Sequence, residues 1–500
     1  MIPLNTKWAV VVVLGLGLRT VGQTSAGASD NSSQQGTPPV PAYGQANPSV
    51  MSGQNPPISA LDAPSLEPNL QPRSMLVGGV VASESLDTNV NQTPGASTDF
   101  HSVTRLFGGL TMQRVWERYN FGAAYIGGAG FYPSASPLVR NIQEVQAQQS
   151  VLWKTGQATI RDSFSYLPEG SFGAGAYGGA SGFQLGLGGL DQYGGLTGGS
   201  LGGHYGIVGA GQFGSLGQSP RINNVAIVDV IEELTPRSAI TAAGSFGVIH
   251  FTDSNPDGFI NSNQFGGDVG YNYALTLHDQ VGAAYGFRAF RYPSGIGASG
   301  VDSHVFQGLY GHRISGRMDF IVGAGPQVTI IHGTSTTTEG QSTGSSTRVT
   351  ASARASLRYR FQRAEASVSY LRIDTTGSGF FAGAEADIVR LSGSYEIARR
   401  WHARVDAGYS HNDRLQSLPA VPGQPTGVNA GAFDYIFAGA GLEREFNRNL
   451  AAFVSYQFNT QVFSDLQCNG LGNSQSCNNR TSRQVVQFGA SWHFRPIRLD

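Results

Sequence analysis

The segment Arg348-Val-Thr-Ala-Ser-Ala-Arg-Ala-Ser-Leu-Arg-Tyr-Arg-Phe361 sorts into two rows when read at every second residue. Val349, Ala351, Ala353, Ala355, Leu357, Tyr359 and Phe361 make one row. Arg348, Thr350, Ser352, Arg354, Ser356, Arg358 and Arg360 make the other. Side chains of a β-strand alternate between two faces, so these rows are the two faces of one strand. If the polar row met hydrocarbon, each Arg near the midplane would cost about 2–4 kcal/mol. The Arg row must therefore face water inside a closed sheet, and the apolar row faces lipid.

The same pattern recurs along the chain. In Leu450 to Gln461, the residues Leu450, Ala452, Val454, Tyr456 and Phe458 share one face, while Phe453, Ser455, Gln457, Asn459 and Gln461 make the other, mostly polar one. Tight polar turns are expected near Trp116-Glu117, Lys154-Thr155-Gly156, Thr235-Pro236-Arg237, His278-Asp279, Ser315-Gly316, Gln362-Arg363, Arg399-Arg400 and Asn447-Arg448. The opposite connections are longer, over 252–264, 332–346, 413–432 and 463–482, with a very long one at 167–221. Short turns on one rim and long loops on the other mark a transmembrane up-and-down antiparallel β-barrel. Eight hairpins and a last strand at 483–494 make an odd number, whereas single-chain bacterial barrels have an even one. Met75 to Glu84 supplies the missing strand, with a loop at 85–99, so the all-β reading has about 18 strands, with 16 as the alternative. Alternation is weakest in 222–234 and 238–251.

Composition agrees with a membrane wall. The 500 residues carry 32 Lys and Arg against 33 Asp and Glu, and only 13% are charged. That balance gives no basic surface for nucleic acid. Lys7 precedes the apolar run Trp8 to Leu18, with small residues at Ala26-Gly27-Ala28. The run has the length of a signal-peptide core and is too short to cross a bilayer as a helix. Residues 1–28 are read as a signal peptide, 29–73 as a disordered linker rich in Pro, Gln, Asn and Ser, and 74–495 as the barrel. A linker of this kind can also dock a periplasmic partner.

The polar lumen carries the functional expectations. Glu365, Arg390, Glu396, Arg404 and Asp406 join Arg348, Arg354, Arg358 and Arg360 on the inner face. Guanidinium groups bind carboxylate and phosphate in a fork, so an Arg wall would favour anions and hydroxyl-rich solutes. The competing reading is an internal Arg–carboxylate network that only stiffens the barrel. Residues 170–217 hold 20 Gly, no Lys or Arg and one acid, Asp191; they form either a constriction loop or a plain surface loop. Cys468 and Cys477 lie in the last long loop and would be oxidised to a disulfide after export.

The last strand resembles the outer-membrane assembly signal read by the barrel-assembly machinery. Gln487, Gly489, Trp492 and Phe494 fit its polar, glycine and aromatic positions, although Arg495 to Asp500 follow the aromatic that usually ends it. Gly79 to Pro94 is similar to the opening hairpin of uncharacterised outer-membrane barrels, some associated with surface-polysaccharide export. The resemblance implies a porin-like protein in the bacterial outer membrane, in contact with its lipid and able to form a homotrimer, as porins often do. No Gly-x-Ser-x-Gly elbow and no His-Glu-x-x-His is present, so no catalytic residue, metal or cofactor is expected. The leading expectation is a passive or weakly selective pore for small polar or anionic solutes. A scaffold or adhesion barrel plugged by the Gly-rich loop, and a polysaccharide-export barrel, share the same architecture.

Overall fold

A computed structural model describes residues 57–59, 74–90, 99–133, 138–167, 220–252, 260–293, 298–337, 340–377, 379, 381–415, 431–464 and 480–499. Among them every extended element is a strand: β1 (Met75–Asp87), β2 (His101–Val115), β3 (Tyr119–Phe131), β4 (Val139–Trp153), β5 (Gly156–Leu167), β6 (Arg221–Thr235), β7 (Ser238–Phe251), β8 (Ser262–Ala274) and β9 (Asp279–Arg291). The second half adds β10 (Ala298–Ser315), β11 (Met318–Thr337), β12 (Gly340–Arg360), β13 (Ala364–Thr375), β14 (Ala384–Ala398), β15 (Trp401–Arg414), β16 (Ala432–Glu445), β17 (Leu450–Ser464) and β18 (Arg480–His493). Each pairs antiparallel with the next, and β1 pairs with both β2 and β18, which closes the barrel. Met75–Asp87 is thus the strand that parity required, and the count is eighteen. A two-residue β19 (Ile497–Arg498) continues past Phe494 and pairs with Met75 and Leu76, so the residues after the terminal aromatic lengthen the seam.

The eight short turns fall where the polar residues put them. Their side chains satisfy the backbone that the ladder leaves open. Asn447 Oδ1 accepts from the N–H groups of Asn449 and Leu450, and Thr276 Oγ1 from those of His278 and Asp279. Ser315 Oγ accepts from Arg317 and Thr235 Oγ1 from Arg237. The weakly alternating pair β6 and β7 is in register from Arg221↔Phe251 to Thr235↔Ser238, with an irregularity only beside the turn.

One connection departs from expectation. Of the run 332–346, the described residues 332–337 and 340–346 are strand and not loop. The β11–β12 ladder continues through them to Thr337↔Gly340, giving strands of 20 and 21 residues. A span needs only about 9–11 residues, so this hairpin outruns the bilayer. Its Ser and Thr residues need no apolar row there, and Thr favours the pleated backbone.

The outward rows are apolar around the circumference. Leu106, Leu110, Val145, Ile160, Val228, Val269, Phe306, Val349, Leu357, Val368, Val389, Val405, Ile436, Val454 and Phe488 are all exposed. A belt of that size would be an aggregation hazard in water and suits hydrocarbon. Trp116, Tyr119, Phe361, Tyr395, Phe446 and Trp492 are exposed towards the short-turn rim, as interfacial aromatics are.

The closing seam is held by a buried ion pair. Arg483 Nε donates to both carboxylate oxygens of Asp87, at 2.9 and 2.8 Å, and Arg483 Nη2 adds a further bond. Relative exposures of 1% and 0% leave neither group water to fall back on. Lower on the seam Gly489 leaves room for Phe453: a Cβ at this position would lie 2.6 Å from the ring. Removing one partner of a buried pair costs about 3–5 kcal/mol, whereas replacing both with apolar groups is close to neutral. Arg483→Ala should therefore lower stability by about that amount in urea unfolding from lipid vesicles. Arg483→Met combined with Asp87→Leu should recover most of the loss.

Candidate functional site: the barrel lumen

The inward rows carry the charges, and they come as neighbours. Arg161 and Asp229 meet at 3.1 Å across β5–β6, and Arg390 and Asp406 at 3.0 Å across β14–β15. Arg358 lies 3.7 Å from Asp319 across β11–β12, and Arg288 lies 3.8 Å from Asp268 across β8–β9. Each pair joins adjacent strands on one face, where opposite charges stabilise a sheet.

The residues singled out from the sequence are distributed over this wall. Arg348, the ninth of the 21 residues of β12, contacts Glu385 at 2.7 Å. Arg354 donates from Nη2 to the carbonyl of Ile58 at 3.2 Å. Arg360 stands opposite Glu365 in the β12–β13 ladder. Arg404 faces Ser394 and Gly441, and Glu396 is exposed at the short-turn end of β14. In the last strand Gln487 donates to Ser83 Oγ at 3.0 Å, Trp492 faces outward, and the Phe494 N–H donates to Gly78 at 3.0 Å. Cys468, Cys477, the loop after Leu167, the signal peptide and most of the linker lie outside the described residues. Asp229, Asp268, Arg288 and Asp319 were not singled out. Extending the alternation of β12 to every strand would have placed them on the inner face.

The outer mouth contains a feature that the sequence reading missed. Between β13 and β14 the described residues 381 and 382 are buried against the inner side of the barrel. Phe381 is fully buried, packed against Phe433 at 5.4 Å between ring centroids, with the Arg414 guanidinium 4.6 Å from its own centroid. Ala382 joins a second cluster with Ile260, Phe290, Tyr292, Val301, Ile331 and Leu415, drawn from β9 to β11 and three other loops. The backbone ties the mouth together, because the Ile260 N–H donates to Gly379 at 2.8 Å and the Phe381 N–H to Gly377 at 3.1 Å. Gly377 and Gly383 have φ of 79° and 92°, which bends the chain back into the barrel. At Gly377 a Cβ would also stand 2.4 Å from the Phe381 carbonyl oxygen.

A polar group caps the upper ends of β13 to β16, and Arg348 of β12 joins it through Glu385. The Tyr370 hydroxyl donates to Asp387 at 2.6 Å, and Arg372 contacts Asp387 at 3.2 Å as well as Glu385. His411 has both ring nitrogens against carboxylates, Asp434 at 2.7 Å and Asp413 at 3.2 Å. A catalytic His needs one nitrogen directed at a nucleophile, and this one has neither to spare. Among the described residues no group of three or more His, Cys, Asp or Glu is arranged to hold a metal ion.

No family model matches the sequence, and no curated protein matches it. Solved structures match over most of the chain. The unliganded ferric citrate transporter FecA has a TM-score of 0.39 and 8% identity, over 85% of this chain and 79% of that one. The outer membrane protein OpdK of Pseudomonas aeruginosa has a TM-score of 0.35 and 9% identity, over 84% and 98%. Acinetobacter baumannii OccAB2 has a TM-score of 0.35 and 10% identity, over the same shares. At these values the likeness adds nothing to the barrel architecture, which rests on the strand pairing itself.

Phe381→Ala should loosen the mouth. Losing a buried Phe costs about 3–5 kcal/mol. Proteolysis should then cut near Gly379 and Gly383 in the folded barrel at a protease concentration that leaves the parent intact.

Proposed function

We propose that the chain is a channel of the bacterial outer membrane, passive or weakly selective, for small polar or anionic solutes. The observation that carries this reading is the division of faces: apolar rows outward, and inward rows that carry the paired charges and buried polar groups between apolar clusters. A polar interior of this kind can hold water, and the inner charges set which ions enter. Because Arg161, Arg288, Arg358 and Arg390 stand beside carboxylates, much of the wall is a set of dipoles more than a cationic surface. Selectivity is accordingly mild, and it responds to removal of one partner of a pair. Assembly would proceed through the barrel-insertion machinery reading Gln487, Gly489, Trp492 and Phe494 on the closing strand.

The packed mouth favours a second reading, a barrel that rests closed. Phe381 and Ala382 are held from several sides, so opening would displace the Thr376–Gly383 connection from two apolar clusters.

Planar-bilayer recording of the refolded full chain separates the two. A pore that rests open conducts steadily. A pore that rests closed is silent until Phe381→Ala unlatches the mouth, and silence in both forms, with the fold verified, overturns the channel. In whichever form conducts, Asp406→Asn removes a negative charge from the inner wall and should move the reversal potential in a salt gradient towards anions. Arg358→Ala should move it towards cations.

A further inference from the structure

Ile58 and Ser59 stand apart from the barrel strands in sequence yet are buried inside the barrel, on the inner wall of β7 to β12. The contacts are specific. The Ser59 N–H donates to Asn272 Oδ1 at 2.9 Å, and Asn272 Nδ2 donates back to Ser59 Oγ at 2.5 Å. Ser59 Oγ also meets Thr241 Oγ1 at 2.5 Å, and Arg354 reaches the Ile58 carbonyl. The Ile58 side chain packs on Leu309 and Ile321. The wall lacks side chains where the segment touches it most closely: a Cβ on Gly270 would lie 2.3 Å from Ser59 Oγ, and one on Gly311 would lie 3.0 Å from Ile58 Cγ2.

We propose that this wall is a peptide-binding subsite, occupied by the chain's own Ile58–Ser59, and that it takes short peptides in which a branched apolar residue precedes a hydroxyl residue. The chemistry selects that class. Asn272 reads a backbone N–H and the hydroxyl on the same residue. Arg354 reads the carbonyl of the preceding residue, and an apolar cup takes that residue's side chain. An unsubstituted sugar offers no amide N–H, an N-acetylated one offers no branched apolar side chain for the cup, and a simple anion offers neither. With the segment in place Asn272 is fully buried and Thr241 nearly so, so Ser59 supplies hydrogen bonds that water does not reach there. The subsite deepens the channel reading by naming a solute class, but the binding itself does not depend on conduction.

The experiment uses the full chain refolded in nanodiscs and a fluorescent acetyl-Pro-Ile-Ser-amide peptide, followed by anisotropy. In the parent the tethered segment competes at high effective concentration, so the free peptide should bind weakly. Ile58→Gly with Ser59→Gly vacates the wall and should tighten binding about tenfold or more. Adding Gly270→Leu to that background should abolish binding, since its side chain fills the place of the serine without altering the strand pairing. A control peptide with Asp in place of Ile should not bind. A separate disulfide test, Ser59→Cys with Thr241→Cys in a background with Cys468→Ser and Cys477→Ser, reports whether the segment docks in the parent barrel. Cross-linking together with peptide binding to the vacated wall supports the subsite. Cross-linking without peptide binding, equal binding of both peptides, or failure to cross-link overturns it. Conductance of the same preparations is read independently, so failure of the channel and failure of the subsite are distinguishable.

Discussion

Inside a bilayer no water is available to a backbone N–H or C=O, and everything else in this molecule follows from that constraint. A sheet meets it only by having no edge. Eighteen strands closed through β1 and β18 remove the edge, and closure in turn divides the side chains into an outward and an inward set. The outward set has no choice of chemistry. The inward set is free to be polar, and the chain uses that freedom to place Arg and Asp side by side on adjacent strands.

Charge pairing along the lumen wall has two effects that pull in different directions. It lowers the cost of burying Arg161, Arg358 and Arg390 in a narrow polar interior, and it removes much of the field that a row of unopposed Arg would cast on a passing ion. Arg354 is used differently, since its contact is with a backbone carbonyl of another segment. The same residue type therefore stiffens the wall at some positions and holds a guest chain at another. Neighbours, rather than composition, decide which.

Much of the barrel was legible in the sequence because strand periodicity is short. An Arg at every second or fourth place beside an unbroken apolar row can be read from β12 alone, and turns such as Asn447-Arg448 announce themselves by residues that cap backbone groups. Loop geometry was not legible. Gly377, Gly379 and Gly383 around Phe381 signal a bend, but whether the aromatic points to solvent or into the mouth depends on Phe433 and Arg414, which are remote in sequence. The run 332–346 read as a loop because Ser, Thr and Gly are common in loops, yet paired strands beyond the bilayer need no apolar row. Nothing in a Pro-rich stretch singles out Ile58 and Ser59, because their partners Asn272, Thr241 and Arg354 are chosen by the closed barrel.

The pairing of β1 with β18 also fixes the order of events in biogenesis. Asp87 and Arg483 are separated by 396 residues, so the seam cannot form while the chain is still emerging. Loop-closure entropy rises only slowly with length, which makes late closure thermodynamically tolerable. Kinetically it leaves a half-built sheet with two open ladders for as long as the last strand is absent, and such ladders recruit strands from neighbouring chains. A chain cut short at either end would keep those ladders permanently. Its fate would be entanglement with its neighbours instead of a smaller barrel.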